Sequence, residues 1–405
     1  MYLTSEQKRI GQRNFWAVVG PDLNPDRLKL ETCIPRGFPG GPVRGGIVGV
    51  GGQGSVLLNA CRPEFIDLVA VCDINPAHQT RACNYLASQG WKQPTQYTDW
   101  REMAHKENLE VVIIATPLWS HAEIASGFLE AGTNVLCEKM MAHDVAGCRQ
   151  MIAAADKAHR KLEIGYPRFY DFFHQAMEQS FFRPRRLGDI HFVRMFTDRN
   201  ESWRRYQPPP FPGFDPRPWG YPDWEHLNNW RMYDVYSRGM MAELASHLTS
   251  CADWLLGADP TSVYASGGIY YYKDGRQVDD HMFVTYQYPG GCNLELVMIL
   301  TNDFEGLYEE FNGTEGTLIL SETAGPLYFP KDPNSIHKGK DNGLTLDFWT
   351  NFEIAFRTEL WTLCSAARHG TPLLCGTARG LSTTVHCLAG QEAARTQSRV
   401  EISAT

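Results

Sequence analysis

The stretch GGIVGVGGQGSVLLNA, residues 45–60, decides the fold of this chain. A short apolar segment runs into closely spaced glycines, and an apolar helical pattern follows them at once. Gly49, Gly51 and Gly54 stand in the G-x-G-x-x-G spacing, which suits a strand that turns tightly into a helix. The first glycine permits the turn, the second lets a phosphate approach the backbone, and the third lets the helix pack on the sheet. The motif therefore predicts that a dinucleotide pyrophosphate binds at the N-terminus of this helix.

An acidic residue at the end of the next predicted strand supports this interpretation. The segment IDLVAVCD places Asp73 19 residues after Gly54, where a carboxylate is expected to accept hydrogen bonds from the adenosine ribose. The same carboxylate would repel a 2′-phosphate, and no arginine follows it directly. We therefore expect NAD as the cofactor rather than NADP, with Gly52 and Gln53 also in contact with it.

Outward from this motif, apolar strands alternate with helical patterns from residue 41 to residue 165. Such alternation predicts βαβ units, and apolar strands without alternation predict a parallel sheet covered on both faces. The expected fold is α/β, with a doubly wound Rossmann domain over 41–165. Residues 1–40 are interpreted as an N-terminal arm that packs on its own domain or on a partner subunit. Residues 166–405 are expected to form an α+β domain on a large, mostly antiparallel sheet, for substrate binding and oligomerisation.

Composition excludes several classes of protein. The 405 residues carry a net charge of −8, which argues against a nucleic-acid surface. The 11 cysteines form no C-x-x-C pair, so we expect reduced thiols and no metal site. No apolar run is long enough to predict a membrane span, and the N-terminus lacks the apolar region of a secretory signal peptide. A cytoplasmic location is therefore expected.

The segment ATPLWSH follows the strand that ends near residue 115. Thr116, Pro117 and His121 are therefore expected at the carboxyl edge of the sheet, where ligands bind in open α/β sheets. We assign all three to the cofactor site. For His121 the alternative is a residue at a helix N-terminus without a chemical role.

Together with the segment CEKMMAH, these motifs resemble the Gfo/Idh/MocA family, named for glucose-fructose oxidoreductase and inositol dehydrogenase. The resemblance covers about residues 43–400 and includes GDIHFVR, NWR and NGTEGTL. The family motif Glu-Lys-Pro corresponds here to Glu138, Lys139 and Met140. The resemblance implies that Lys139 lies beside the nicotinamide and the reacting hydroxyl, where a cation can stabilise an alkoxide. It also implies that Glu138 contributes to the cofactor site.

The resemblance further implies a catalytic pair, an acid four residues before a histidine on one helix. Here these residues are Glu243 and His247, with Glu in place of the more common Asp. Residues four apart lie on one helix face, and an imidazole suits proton exchange near neutral pH. The alternative is that the pair only holds the helix to the sheet.

Four further residues are candidates for substrate binding. By the same resemblance, Arg168 matches a basic residue near the substrate, and Tyr166 lines the pocket. Trp230 and Arg231 precede the helix that carries the pair, and Trp230 either stacks on a sugar or packs in the core.

The expected function is NAD-dependent hydride transfer to or from a secondary alcohol of a sugar, polyol or glycoside. Two alternatives stay open: an NAD-dependent glycosidase with transient oxidation and no net redox change, and a non-catalytic subunit that binds dinucleotide and sugar. The glycosidase alternative draws on an aromatic-rich loop. The expected partners are a small carbohydrate and further copies of the chain in a homodimer or homotetramer, but neither nucleic acid nor a membrane. The aromatic residues of the loop are Trp203, Tyr206, Trp219, Tyr221 and Trp224.

Overall fold

Residues 43–165 form a parallel sheet in the computed structural model, which describes residues 3–20, 38–335 and 346–403. Its strands are β1 (Val43–Val48), β2 (Ile66–Cys72), β3 (Thr95–Tyr97), β4 (Val111–Ile114), β5 (Asn134–Glu138) and β6 (Leu162–Gly165). The helices up to this point are α1 (Ser5–Val19), α2 (Gly52–Ala60), α3 (Pro76–Ser88), α4 (Trp100–Lys106), α5 (His121–Glu130) and α6 (Val145–Ala158). The strand order β3-β2-β1-β4-β5-β6 confirms the doubly wound Rossmann arrangement.

The strand order places the ligand crevice at the boundary between β1 and β4. The chain builds outward from β1 to β3 and then returns to β4 on the other side of β1. All four residues of β4 are buried, as the apolar segment predicts for a strand covered on both faces. The loops that follow β1 and β4 therefore diverge to opposite faces and leave a crevice at the carboxyl edge.

A second, eight-stranded sheet follows in the order β13-β12-β11-β7-β10-β9-β8-β14. Only the pair β7 and β10 is parallel among its described neighbours, which confirms a mostly antiparallel sheet. The strands are β7 (Ile190–Asp198), β8 (Ser262–Gly268), β9 (His281–Gln287), β10 (Asn293–Ile299), β11 (Leu307–Gly313), β12 (Gly316–Ser321), β13 (Gly325–Pro330) and β14 (Val400–Glu401).

The segment SVYASGGIYYY, residues 262–272, predicts one continuous strand, but β8 ends at Gly268. The aromatic run after Gly268 favours a longer strand, but the backbone N–H groups of Tyr270, Tyr271 and Tyr272 all donate to the carboxylate of Asp280. Because one side chain satisfies these donors, the segment has no need of a neighbouring strand.

The later helices are mostly short, apart from the last two. The segment GMMAELASHLTSCADWLLG, residues 239–257, predicts one regular helix, but a π-helical turn over Met241–Ala245 precedes the regular α-helix. None of the helices in the described ranges is long and apolar enough to cross a bilayer. The helices are α7 (Phe172–Met177), α8 (Trp224–Asn228), α9 (Asp234–Ser237), α10 (Ser246–Leu256), α11 (Phe348–His369) and α12 (Thr377–Thr396).

Two helices distant in sequence join the halves of the chain. Helix α11 returns to the first sheet, where Leu360 and Leu363 pack in one buried cluster with Ile47 and Leu57. Helix α1 packs on the second sheet through the fully buried Phe15, so the arm lies against its own chain here. Residues 21–37 of the predicted arm lie outside the described residues.

Candidate active site

A cavity of about 790 Å³ lies at the carboxyl edge of the first sheet, which is within the range of about 300–1,000 Å³ usual for small-molecule sites. One wall is built by the turn between β1 and α2 and by the ends of β2, β4 and β5. The opposite wall comes from residues 197–231, from the start of α10 and from α11. The cavity is therefore formed jointly by both halves of the chain.

The glycine turn has the geometry that its spacing predicts. Gly49 has φ +83°, and an added Cβ there would lie 2.6 Å from the carbonyl oxygen of Ala115. A Cβ on Gly54 would lie 1.9 Å from the carbonyl oxygen of Gly49, so no side chain fits between α2 and β1. Gly51 and Gly52 line the cavity, where an added Cβ would meet only the His78 or Arg205 side chain at 3.8 Å, whereas Gly54 does not line it. The N-terminus of α2 is thus accessible to a ligand.

Asp73 lines the same cavity and also fixes its backbone. One carboxylate oxygen accepts hydrogen bonds from the N–H of Val50 at 2.8 Å and lies 3.3 Å from Nδ1 of His78. The other oxygen accepts from the N–H of Asn75 at 2.8 Å. The residue assigned to the ribose therefore also holds the turns after β1 and β2 together.

The residues assigned after β4 separate into two groups. Thr116 and Pro117 line the cavity. His121 is fully buried beneath it, with its two ring nitrogens 2.9 Å from the carbonyl oxygens of Met140 and Thr116. His121 therefore lies outside the cavity at the start of α5, and its ring contacts the loops that follow β4 and β5.

Lys139 follows β5 and enters the cavity from the first sheet. Its Nζ donates a hydrogen bond of 2.8 Å to the carbonyl oxygen of Glu243, and its peptide bond to Met140 is cis. The preceding Glu138 accepts hydrogen bonds from Nε2 of Gln53 at 2.7 Å and from the N–H of Lys139 at 3.1 Å. Burial raises the pKa of Glu138. Gln53 and Glu138 therefore link the glycine turn to the lysine.

Glu243 lies in the π-helical turn and faces two cations. Its Oε2 lies 3.6 Å from Nζ of Lys139 and 3.0 Å from Nε of Arg231, while Oε1 accepts a hydrogen bond of 3.3 Å from Ser237. One buried carboxylate therefore positions an amine from the first sheet and a guanidinium from the opposite wall. π-Helical turns of this kind occur frequently at functional sites.

His247 lines the cavity one turn further along, as the predicted pairing with Glu243 requires. Burial lowers its pKa well below the ordinary value, and the positive charges of Lys139 and Arg168 lower it further. Its buried Nδ1 has no hydrogen-bond partner within the described part of the chain. Tyr166 packs edge-on behind the imidazole, with ring centroids 5.9 Å apart, and is itself fully buried. His247 is thus a neutral imidazole that can accept a proton, and Tyr166 supports it from outside the cavity.

Arg168 also lines the cavity, but its charge is already paired. Its Nε donates to Glu309 at 2.8 Å, and the other oxygen of Glu309 lies 3.0 Å from Nε2 of His174. Burial alone would raise the pKa of Glu309. The charges and hydrogen bonds of His174 and Arg168 have the larger effect and lower this pKa to about 2. The network fixes the arginine at the wall of the cavity.

The aromatic loop is only partly at the cavity. Trp219, Tyr221 and Trp224 line it, together with the predicted Trp230 and Arg231. Trp203 is instead buried away from the cavity, and Tyr206 is 87% exposed.

Contacts between the loop and the first sheet cover the cavity. The indole Nε1 of Trp119 donates to the hydroxyl of Tyr221 at 2.8 Å, and the rings of Trp119 and Tyr236 lie 5.9 Å apart. Ile74, after β2, packs against the same buried cluster. The loop is therefore attached at two points to the domain that it covers.

Several cavity residues were missed by sequence reasoning. Arg199 follows β7, Arg205 lies in the aromatic loop, and Trp349 and Phe352 come from α11. The guanidinium carbons of Arg199 and Arg168 lie over the rings of Trp349 and Phe352 at 5.9 and 5.6 Å. Nothing in the local sequence marks these four residues. Trp349 and Phe352 lie in α11, which is more than 200 residues distant from the glycine turn.

Two clusters in the described ranges bring metal-ligating atoms close together. In each cluster an arginine pairs with the carboxylates: Arg168 with Glu309 at 2.8 Å, and Arg379 with Asp259 at 3.2 Å. An arginine guanidinium thus supplies positive charge beside the carboxylates of each cluster. The clusters are His174, Cys251 and Glu309, and Asp253, Asp259 and His386.

Comparison with known families assigns most of the chain. A model described as an oxidoreductase family with an NAD-binding Rossmann fold matches residues 43–166. A second, described as the C-terminal alpha/beta domain of an oxidoreductase family, matches residues 185–402.

Individual relatives are more distant. A glycosyl hydrolase family 109 protein of Shewanella sp. (strain W3-18-1) is 29% identical over 180 residues, which are 40% of this chain and 39% of the relative. An alpha-N-acetylgalactosaminidase of Shewanella oneidensis matches to the same extent. The match thus spans about two fifths of the length of these curated relatives.

Solved structures share the fold over nearly the whole chain. The WlbA dehydrogenase of Bordetella pertussis, in complex with NADH and UDP-GlcNAcA, has a TM-score of 0.71 at 18% identity, covering 90% of this chain and 100% of that one. An oxidoreductase domain protein of Kribbella flavida has a TM-score of 0.72 at 21% identity, with coverage of 90% and 100%. At these identities the likeness shows the fold alone.

Proposed function

The chain belongs to the Gfo/Idh/MocA family of oxidoreductases, and we propose that it transfers a hydride between bound NAD and a secondary alcohol of a carbohydrate. The observation that carries the proposal is the convergence of Lys139, Glu243, Arg231 and His247 in a cavity that begins at the glycine turn.

The residues present fit a nicotinamide dinucleotide. The open backbone at Gly51 and Gly52 would hold the phosphates at the N-terminus of α2, and Asp73 would lie at the adenosine end. Gln53 and Glu138 lie between this turn and Lys139, on the path toward the reaction centre. When bound, the nicotinamide supplies the hydride chemistry, and the protein supplies position and electrostatics.

The chain's own residues would handle the proton and the developing charge. His247 is uncharged near neutral pH because its pKa is lowered, so it can take the proton of the substrate hydroxyl. Lys139 and Arg231 would stabilise the alkoxide that forms on the same oxygen. Glu243 holds both cations in place and limits their mutual repulsion. Trp349 and Phe352 line the same cavity and would pack against the sugar with the ring surface that Arg199 and Arg168 leave uncovered.

The proposal is tested by incubating purified protein with NAD and a panel of sugars, polyols and glycosides. We expect NADH absorbance to appear with at least one class of these alcohols. A protein that binds no nicotinamide dinucleotide in a titration would contradict the proposal. Binding without turnover of any alcohol would instead support the non-catalytic alternative.

A second candidate is cleavage of a glycoside with no net redox change. Two observations favour it: the aromatic loop that lines the cavity is attached at Trp119 and Ile74, which would hinder cofactor exchange, and the curated relatives are named as family 109 glycosidases. Chromogenic glycosides would be incubated with the protein as purified, without added NAD. Release of the chromophore at constant NADH absorbance would establish this reaction, whereas steady NADH accumulation with free sugars would exclude it.

We also propose that the outer face of the second sheet forms an interface between copies of the chain. Tyr264 and Phe283 are about half exposed there, and Val297 lies directly opposite Phe283 on the neighbouring strand. Light scattering coupled to size-exclusion chromatography should show a dimer or tetramer. A monomer at micromolar concentration would contradict this proposal.

A further inference from the structure

Arg205 is a cation at the cavity wall whose charge is unpaired. It lies in the loop that covers the cavity, and a Cβ added to Gly52 would lie 3.8 Å from its terminal Nη2. Among the described residues, no carboxylate pairs with its guanidinium and no acceptor is hydrogen-bonded to it. Since Gly52 is the first residue of α2, the free guanidinium lies across from a helix N-terminus.

The neighbouring Arg204, in contrast, is paired with a carboxylate. Nη1 of Arg204 donates to Glu225 at 2.6 Å, so that side chain is fixed within the loop. The backbone of Arg205 is equally well held, because its N–H donates to Asn229 at 2.6 Å and its carbonyl accepts from Asn228 at 2.8 Å. These two hydrogen bonds fix the main chain of Arg205, and its side chain lines the cavity.

The electrostatic surroundings of Arg205 favour the binding of an anion. Burial and the positive charge of Arg231 disfavour its charged form and lower its pKa, although a guanidinium stays protonated in proteins. The nearby carboxylate of Glu243 is already shared by Lys139 and Arg231. A partly desolvated cation of this kind gains most from a ligand that brings its own negative charge.

We infer that Arg205 binds the pyrophosphate of the dinucleotide from the side opposite α2. This inference rests on the proposed function, and it adds a residue from the second half of the chain to the cofactor site. Phosphate oxygens above Gly51 and Gly52 would meet backbone N–H groups and the helix dipole on one side and a guanidinium fork on the other. The imidazole of His78, 3.8 Å from a Cβ added to Gly51, borders the same space. The covering loop would therefore hold the cofactor by charge as well as by enclosure.

The test compares Arg205→Ala with the parent protein in titrations of NAD, ADP-ribose and adenosine. NAD and ADP-ribose carry the pyrophosphate, and adenosine lacks it. We expect NAD and ADP-ribose to bind about 10- to 100-fold more weakly to the variant, as loss of a hydrogen bond to a charged group implies. Adenosine, followed by saturation-transfer NMR, should bind equally to both proteins. Arg205→Lys should recover part of the affinity.

Arg217→Ala is the matched control, because Arg217 lies in the same loop and pairs with Asp215 at the surface. It should leave all three affinities unchanged. Unchanged ADP-ribose affinity in Arg205→Ala, or an equal loss for adenosine, would overturn the inference. A change confined to the KM of the carbohydrate would also overturn it and assign Arg205 to the substrate. If the parent protein itself binds no dinucleotide, the proposed function fails, which is a distinct result.

Discussion

The Nζ of Lys139 donates a 2.8 Å hydrogen bond to the backbone carbonyl of Glu243, whose carboxylate lies 3.6 Å from the same nitrogen. The two residues are 104 positions apart, one at the end of a strand in the first sheet and the other in a π-helical turn of the second half. A lysine ammonium has three donors, so this contact leaves others available to a ligand. The amine is thereby fixed where the two halves of the chain meet at the cavity.

Replacing Lys139 by Ala should lower turnover by about 10²-fold or more, because it removes the cation that would stabilise the alkoxide. The dissociation constant of NAD should change little, because the glycine turn would hold the phosphates. Steady-state kinetics and a cofactor titration measure the two effects separately. The exposed Lys157 provides the control, and Lys157→Ala should behave as the parent. Unchanged turnover in Lys139→Ala would remove Lys139 from the mechanism.

The pH dependence of kcat/KM should reflect the lowered pKa of His247. A base must be unprotonated to act, so a pKa below 6.5 extends activity into mildly acidic solution and places the acid limb below pH 6.5. In Arg199→Gln the limb should move to higher pH, because one of the cations that oppose protonation of His247 is removed. An acid limb above pH 7 in the parent protein would contradict this assignment.

NAD should bind at least about 10-fold more tightly than NADP, because the carboxylate of Asp73, which lines the cavity, would lie beside the adenosine ribose and repel a 2′-phosphate. Asp73→Asn should reduce this difference. The measurement is a titration of each cofactor, with thermal unfolding to account for the lost hydrogen bonds to Val50 and Asn75. A preference for NADP in the parent protein would refute the expectation.

Two buried carboxyl groups should make stability fall as pH rises. Burial raises the pKa of Glu163 to about 8 and that of Glu359 well above its ordinary value, and neither oxygen of Glu359 has a partner in the described part of the chain. The folded state therefore keeps protons that the unfolded state releases above pH 4.5, so stability is lost between that value and about pH 8.

Glu359→Gln should flatten this decline and stabilise the protein near pH 9 by about 1–3 kcal/mol, since one buried ionisable group is gone. Denaturant unfolding across the pH range measures the effect. The exposed Glu64 supplies the control, and Glu64→Gln should leave the pH profile unaltered. An equally steep decline in Glu359→Gln would show that Glu359 does not contribute to it.

Prediction from the sequence was accurate where the pattern is local. The turn at Gly49 and Gly54 follows from steric contact over a few residues, and the strand β4 follows from its unbroken apolar run. It was inaccurate where a distant side chain intervenes. The strand β8 ends early because Asp280 takes three N–H groups, and the helix before His247 begins with a π-helical turn.

The sequence by itself determined the first sheet, the dinucleotide turn and the position of Lys139 at a strand end, because residue spacing and periodicity fix backbone geometry over short distances. Only the tertiary structure decided which groups meet that lysine. The sharing of Glu243 by Lys139 and Arg231, the burial of His121, and the unpaired charge of Arg205 all depend on packing between segments far apart in the chain. Charge pairing and desolvation are set by distances through space, and a linear pattern does not contain those distances.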